Sequence, residues 1–156
     1  MKKINLSKWY QAIVDDDSYH ELNKYKWYYA HWYAVRTVYD SWKPKQLRMH
    51  RLIIDTPEWF DTDHINRNRL DNRKCNLRIA TRSQNVANSF VVKQNKSWFK
   101  WVSWKASNKK WCAQIRVRNK VIHIWLFINI QDAAKAYNNV AKKQFGEFAV
   151  LNKVYE

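Results

Sequence analysis

Residues 48–85 read RMHRLIIDTPEWFDTDHINRNRLDNRKCNLRIATRSQN, and the pattern of this stretch decides what the centre of the chain is built from. DTDHI (61–65) and LRIA (77–80) have the composition and length of two short strands. The intervening NRNRLDNRKCN is polar, basic and without helical period, so it reads as a loop. Thr81 and Gln84 have the spacing of a capping box, which opens a short helix at Thr81 and places Asn85 in its first turn, able to face back across the strand pair. Upstream, 50–54 reads as a short helix stopped at Thr56-Pro57, because a residue before proline is pushed out of the helical region.

Outward from this centre, the first 60 residues read as short strands around one helix: a strand at 11–14, a helix at 18–25, then alternating segments at 32–39 and 45–49. This part is scaffold. On the other side, 89–98 lacks helical period, which puts a domain boundary near residue 92, giving 1–92 and 93–156 with the central unit at about 48–90. Three strands follow at 99–104, 110–118 and 121–127. A helix at 131–145 ends at Gly146, the residue type that suits a left-handed cap. Ala133, Ala136, Tyr137, Val140, Ala141 and Phe145 form one apolar stripe on that helix. In the middle strand Trp111, Ala113, Ile115 and Val117 alternate with Cys112, Gln114, Arg116 and Arg118. One face therefore packs on the helix and the other is polar and basic, an open face suited to DNA. The fold class is α+β: two small units, the second a three-stranded antiparallel sheet packed on one helix.

Charge points to a polyanionic partner, since 29 Lys+Arg stand against 13 Asp+Glu, a formal net charge of +16. The basic residues run from Lys2 to Lys153 among aromatics, so the charge belongs to folded surface and not to a tail. No apolar run approaches the length of a membrane span, and the start MKKINLSKWYQ lacks the apolar core of a signal peptide. A soluble, intracellular protein is expected, with no obligate protein partner evident and a monomeric or homodimeric state. Cys75 and Cys112 are too few and too far apart for a zinc quartet, so any metal is held by oxygen or nitrogen.

Asp63-His64 on a strand, Asn76 twelve residues on and Asn85 nine further resemble the ββα-metal fold of HNH endonucleases, and the whole stretch 48–85 resembles the phage and intron-encoded homing type. The resemblance implies a metal-dependent nuclease acting on double-stranded DNA, in a bacterial cytoplasm or a phage-infected host. Phosphodiester hydrolysis needs a base to deprotonate water and a cation to stabilise charge on phosphate. By resemblance, Asp63 and Asn85 hold one divalent ion, Mg²⁺ or alternatively Mn²⁺, His64 is the general base, and Asn76 orients its ring. Asn76 is also of the type that in a tight loop bonds only backbone. His50 either contacts phosphate or braces the metal loop. Arg67, Arg69, Arg73 and Arg78 crowd the same region as candidate phosphate clamps. A non-catalytic DNA-binding regulator with the same two folds is the alternative reading.

FKWVSWKASNKKWCAQIRVRNKVIHIWLF followed by DAAKAYNNVAKKQFGEFAVLN resembles the Apetala-two (ethylene-response-factor) DNA-binding domain, which also occurs fused to HNH nucleases. That resemblance implies that the three-stranded sheet enters the major groove. The matching contact positions are Lys100, Lys105, Lys110, Gln114, Arg116 and His123. Gln114 and Arg116 can read adenine and guanine, or equally touch phosphate. Trp111 falls on the apolar face.

The chain has one Gly and 10 Trp. At Trp9, Trp32, Trp42, Trp59, Trp98, Trp101 and Trp125 the resemblance has Gly, whereas Trp27, Trp104 and Trp111 match Trp. One shared cause is expected for all seven positions, a gene in which UGA codons are read as glycine; the competing reading is that exposed tryptophans serve as stacking platforms for bases.

Overall fold

The computed structural model describes residues 1–89, 95–118 and 120–155. Contacts divide the chain into two compact units, Met1–Thr81 and Arg82–Glu156. The boundary expected near residue 92 falls outside the described residues.

In the first unit β1 (Lys2–Asn5) pairs antiparallel with β2 (Gln11–Val14), and α1 (Asp16–Leu22) follows. Asp16 and Asp17 occupy the first turn of α1, where carboxylates oppose the positive end of the helix dipole. The helix starts and stops earlier than the expected 18–25. β3 (Tyr28–Ala30), β4 (Tyr33–Asp40) and β5 (Lys43–Arg48) form an antiparallel sheet in that order. The sequence pattern gave no sign of β1 or β3, each of which lacks a clean alternating run. Ile4, Leu6, Ala12, Val14, Leu22, Trp27, Ala34 and Met49 make the core, with the Trp27 indole N–H donating to the Leu22 carbonyl at 2.8 Å. Met49 arrives on α2 (Met49–Ile53), which also carries His50. β6 (Asp61–His64) and β7 (Leu77–Ala80) form a separate antiparallel pair with Asp63 opposite Arg78 and His64 opposite Leu77.

The loop between β6 and β7 is tied to β2. Ile13 N–H donates to the Leu70 carbonyl and Asn72 N–H to the Ile13 carbonyl, each at 2.8 Å. These bonds fix the loop to β2, and Leu70 packs against the core of this unit.

In the second unit β8 (Val102–Lys105), β9 (Lys110–Val117) and β10 (Lys120–Phe127) form a three-stranded antiparallel sheet ordered β10-β9-β8. α4 (Ile130–Phe145) packs on it through Ala133, Ala134, Tyr137, Ala141 and Phe145. The small alanines let the helix approach, and Ala113 and Ile115 of β9 are fully covered beneath it. A bulge between His123 and Trp125 shifts the register of β10 and brings Ile124 against the core. Asn129 caps α4 by accepting from Gln131 N–H. Gly146 has the expected positive φ (+53°), but its ψ of −125° lies outside the left-handed helical region expected of the cap. α3 (Arg82–Ala87) belongs to this unit and contacts α4.

Five of the seven tryptophans flagged in the sequence have positive φ: Trp9 (64°), Trp32 (73°), Trp42 (71°), Trp98 (61°) and Trp101 (59°). Trp59 and Trp125 do not, though both are exposed. His31-Trp32 and Ser41-Trp42 are the two-residue loops of the β3–β4 and β4–β5 hairpins, with both residues of each at positive φ. That is the type I′ turn, whose second position favours Gly.

Candidate active site

Asp63 and His64 are 3 % and 5 % exposed, so neither is an ordinary surface residue. Successive strand residues point to opposite faces, and accordingly the two have different neighbours. Asp63 Oδ2 accepts from Arg78 Nε at 2.9 Å, directly across the β6–β7 ladder. His64 Nε2 bonds Asn72 Oδ1 at 3.1 Å, and its ring lies 5.0 Å from that of His50, edge to face. With the Asn72 oxygen as acceptor, the neutral ring carries its proton on Nε2 and its lone pair on Nδ1.

Burial holds the His64 pKa below the usual imidazole value, against the opposing pull of the Asn72 bond and of the Asp63 carboxylate. His50, 3 % exposed, is pushed down to about 2, first by burial and then by His64 and by Arg48, Arg51 and Arg69. Both rings are therefore neutral near pH 7. His50 Nδ1 is buried without a hydrogen-bond partner among the described residues.

Asn76 is not the ring's partner. Its Oδ1 accepts from Asn66 N–H at 2.9 Å and its Nδ2 donates to the Asp71 carbonyl at 2.7 Å. Both ends of the amide bond backbone, closing the loop that Asn66 and Asn68 turn with their own side-chain oxygens. The residue that holds the ring, Asn72, carried no distinguishing signal among the four asparagines of 65–76. Its neighbour Asp71 takes both Arg73 Nε and Arg73 Nη2 at 2.7 Å, and that guanidinium holds its carboxyl below the ordinary value.

Two of the four arginines expected as clamps are thus committed to carboxylates, Arg73 of the loop to Asp71 and Arg78 of β7 to Asp63. This corrects their expected standing as phosphate clamps. Arg67 stands at positive φ (65°) with its N–H on the His64 carbonyl, and Arg69 is exposed. Arg51, unremarked in the sequence, donates to the carbonyls of Thr56, Pro57 and Phe60 and so braces the approach to β6.

The second unit carries Asn85, half-buried on α3. Lys105 and Lys110 face each other across β8 and β9 and, with Cys112, His123 and Trp125, line a groove of about 440 Å³. Gln114 is half-buried opposite His123, and Arg116 is exposed with its guanidinium 5.7 Å from the Trp101 ring. Trp111 packs against the sheet–helix core, as its place in the alternation implies. Lys100 is a correction: it is 4 % exposed, and its Nζ donates to the carbonyls of Val86, Ala87 and Ser89. It caps the end of α3, a role that lies in tertiary structure and leaves its ammonium no reach to DNA.

Among the described residues no group of three or more His, Cys, Asp and Glu is placed to hold a metal, and no helix is long and apolar enough to cross a membrane. Residues 55–87 match the model of a family described as HNH endonuclease. The chain is also 37% identical over 151 residues to a protein of Acanthamoeba polyphaga mimivirus described as an uncharacterized HNH endonuclease, covering 92% of this chain and 75% of that one. No solved structure matches. HNH nucleases generally use a divalent metal, and they are hydrolases that cleave DNA. The matched segment spans β6, the loop, β7 and α3, the same residues whose buried Asp-His pair was built up above. The chain belongs to the HNH endonuclease family.

Proposed function

We propose that the protein is a metal-dependent DNA endonuclease of homing type, from a phage or other mobile element, in which His64 is the general base. The observation that carries this reading is the buried, neutral His64 ring fixed by Asn72 beside Asp63. A base must be unprotonated to take a proton from water, and the depressed pKa keeps the His64 ring neutral at neutral pH. Asn76 acts one step back, by fixing the loop that carries Asn72.

Asp63 and Asn85 are the proposed ligands of a divalent ion, Mg²⁺ or Mn²⁺. The donor chemistry fits: a buried carboxylate and an amide oxygen are hard donors, and two protein ligands suit an ion that keeps water and phosphate in its remaining positions. Such an ion, when bound, supplies charge stabilisation to the phosphate and the leaving oxygen. Arg78 holds the Asp63 carboxylate in line with the ladder.

The second unit reads as an Apetala-two-type DNA reader, supported by its three-stranded sheet packed on α4. Lys105, Lys110, Gln114, Arg116 and His123 are the proposed contacts, and the first two suit phosphate. A supercoiled plasmid incubated with Mg²⁺ tests the whole reading. Nicked or linear product is expected, lost in His64→Ala with binding retained. Equal cutting by that variant removes His64 from the role, and binding without cutting by the unsubstituted chain favours a regulator.

A further inference from the structure

Arg48 and Arg69 come from different segments, the end of β5 and the loop after β6, yet both guanidinium groups lie over one ring. Arg48 Cζ is 5.1 Å and Arg69 Cζ 5.0 Å from the centroid of Tyr33. The same ring is 4.8 Å from His50 and 6.2 Å from His64. Both arginines are exposed, and neither is in an ion pair among the described residues, unlike Arg73 and Arg78. Two like charges gathered at one aromatic ring call for an anion to complete them. We propose that Arg48 and Arg69, held in place by Tyr33, grip a backbone phosphate of the DNA strand at the His64 site, with Tyr33 as the positioning residue.

This rests on His64 being the catalytic base, and the test separates the two. The full chain is compared with Arg48→Ala, Arg69→Ala, Tyr33→Phe, Tyr33→Leu and His64→Ala for single-turnover plasmid cleavage and for duplex binding at several salt concentrations. Each arginine variant is expected to lower the salt slope of binding by about one unit and cleavage efficiency by about tenfold, the size of one charge-assisted bond. Tyr33→Phe keeps both cations placed and cuts normally. Tyr33→Leu, with both charges retained, loses rate to a similar extent while melting as a folded protein by circular dichroism. If His64→Ala stops cutting but both arginine variants keep the full salt slope, the grip is wrong and the base stands. If His64→Ala cuts normally, the reading of the site itself fails.

A second inference rests on backbone geometry. Among the described residues, five of the 12 non-glycine residues at positive φ are tryptophan, a bulky type for which such backbone is an outlier, and two of these occupy the second place of a type I′ turn. None of Trp27, Trp104 and Trp111 has positive φ. A chain with one Gly thus has a glycine-like backbone at five tryptophans and ordinary backbone at the three that match Trp by resemblance. We infer that the producing cell inserts glycine at 9, 32, 42, 98 and 101, from UGA codons. The gene sequence decides it, with peptide masses of the protein from its source as the second measurement. UGA at these five and UGG at 27, 104 and 111, with glycine masses, is the expected result. UGG at the five, UGA at all eight, or tryptophan masses overturns it.

Discussion

Replacing Trp42 by Gly is expected to stabilise the first unit, and the magnitude follows from local geometry. Trp42 is 95 % exposed at φ 71°, so its side chain contributes almost no burial while its Cβ meets the steric penalty of the left-handed region. That penalty is about 1–2 kcal/mol for an L-residue. Glycine's larger freedom in the unfolded chain takes back about 0.5–1 kcal/mol, leaving a net gain near 1 kcal/mol. In a unit of about 80 residues this raises the melting midpoint by about 4–8 °C. Trp32→Gly gains less, because Trp32 sits edge-on to Tyr29 with centroids 6.4 Å apart and that pair is lost. The assay is thermal and urea unfolding followed by far-ultraviolet circular dichroism, which does not depend on the indole removed. Trp42→Ala is the control, since alanine removes the same exposed ring yet keeps a Cβ at positive φ. An unchanged midpoint in Trp42→Gly, or an equal rise in Trp42→Ala, would refute the reasoning that backbone geometry and not surface apolarity sets the gain.

Lys100→Met strips the donor from three carbonyls and should cost about 1–3 kcal/mol while leaving the salt slope of DNA binding unchanged, whereas Lys110→Ala should lower that slope by about one unit; unfolding and binding titrations read the two effects separately. Asn72→Ala frees the His64 ring and should reduce cleavage by about tenfold to a hundredfold, less than removing the base itself, with duplex affinity retained in the binding assay. Stability should fall on acidification. His50, near 2 when folded and about 6.5 when unfolded, binds its proton only in the unfolded chain between those values. Its contribution is complete above pH 6.5 and is lost as pH falls, by about 1.4 kcal/mol per pH unit, with His64 adding in the same sense. Urea midpoints at pH 7.5 and 5 should therefore differ, and His50→Gln should narrow the difference.

Strand and helix positions in the quoted stretch were legible because their signals are local. The 61–65 and 77–80 segments lie where β6 and β7 form, and the capping-box spacing at Thr81 marks the start of α3. The alternation of β9 and the stripe of α4 likewise found their partners, since a sheet face and a helix face bury the same periodic residues. β1 and β3 were not legible, being short segments that become strands by pairing with β2 and β4. The roles of individual polar residues were the least legible. Asn72 and Asn76 are the same residue type in the same loop, and only the fold of that loop gives one to the His64 ring and the other to backbone. Lys100 and Lys110 look alike as lysines in a basic segment, yet one is buried on carbonyls and the other lines an open groove.

By itself the sequence determined the kind of chemistry, because the Asp-His pair with its two spaced asparagines and the surrounding run of charge are covalent facts that survive without coordinates. It also marked the tryptophans as misplaced by composition. Only the tertiary structure decided which cations are spent and which are available: Arg73 and Arg78 on carboxylates, Lys100 on carbonyls, Arg48 and Arg69 at the ring of Tyr33. The physical reason is that a charge's role depends on what lies within a few ångströms of it, and those neighbours come from residues far apart along the chain.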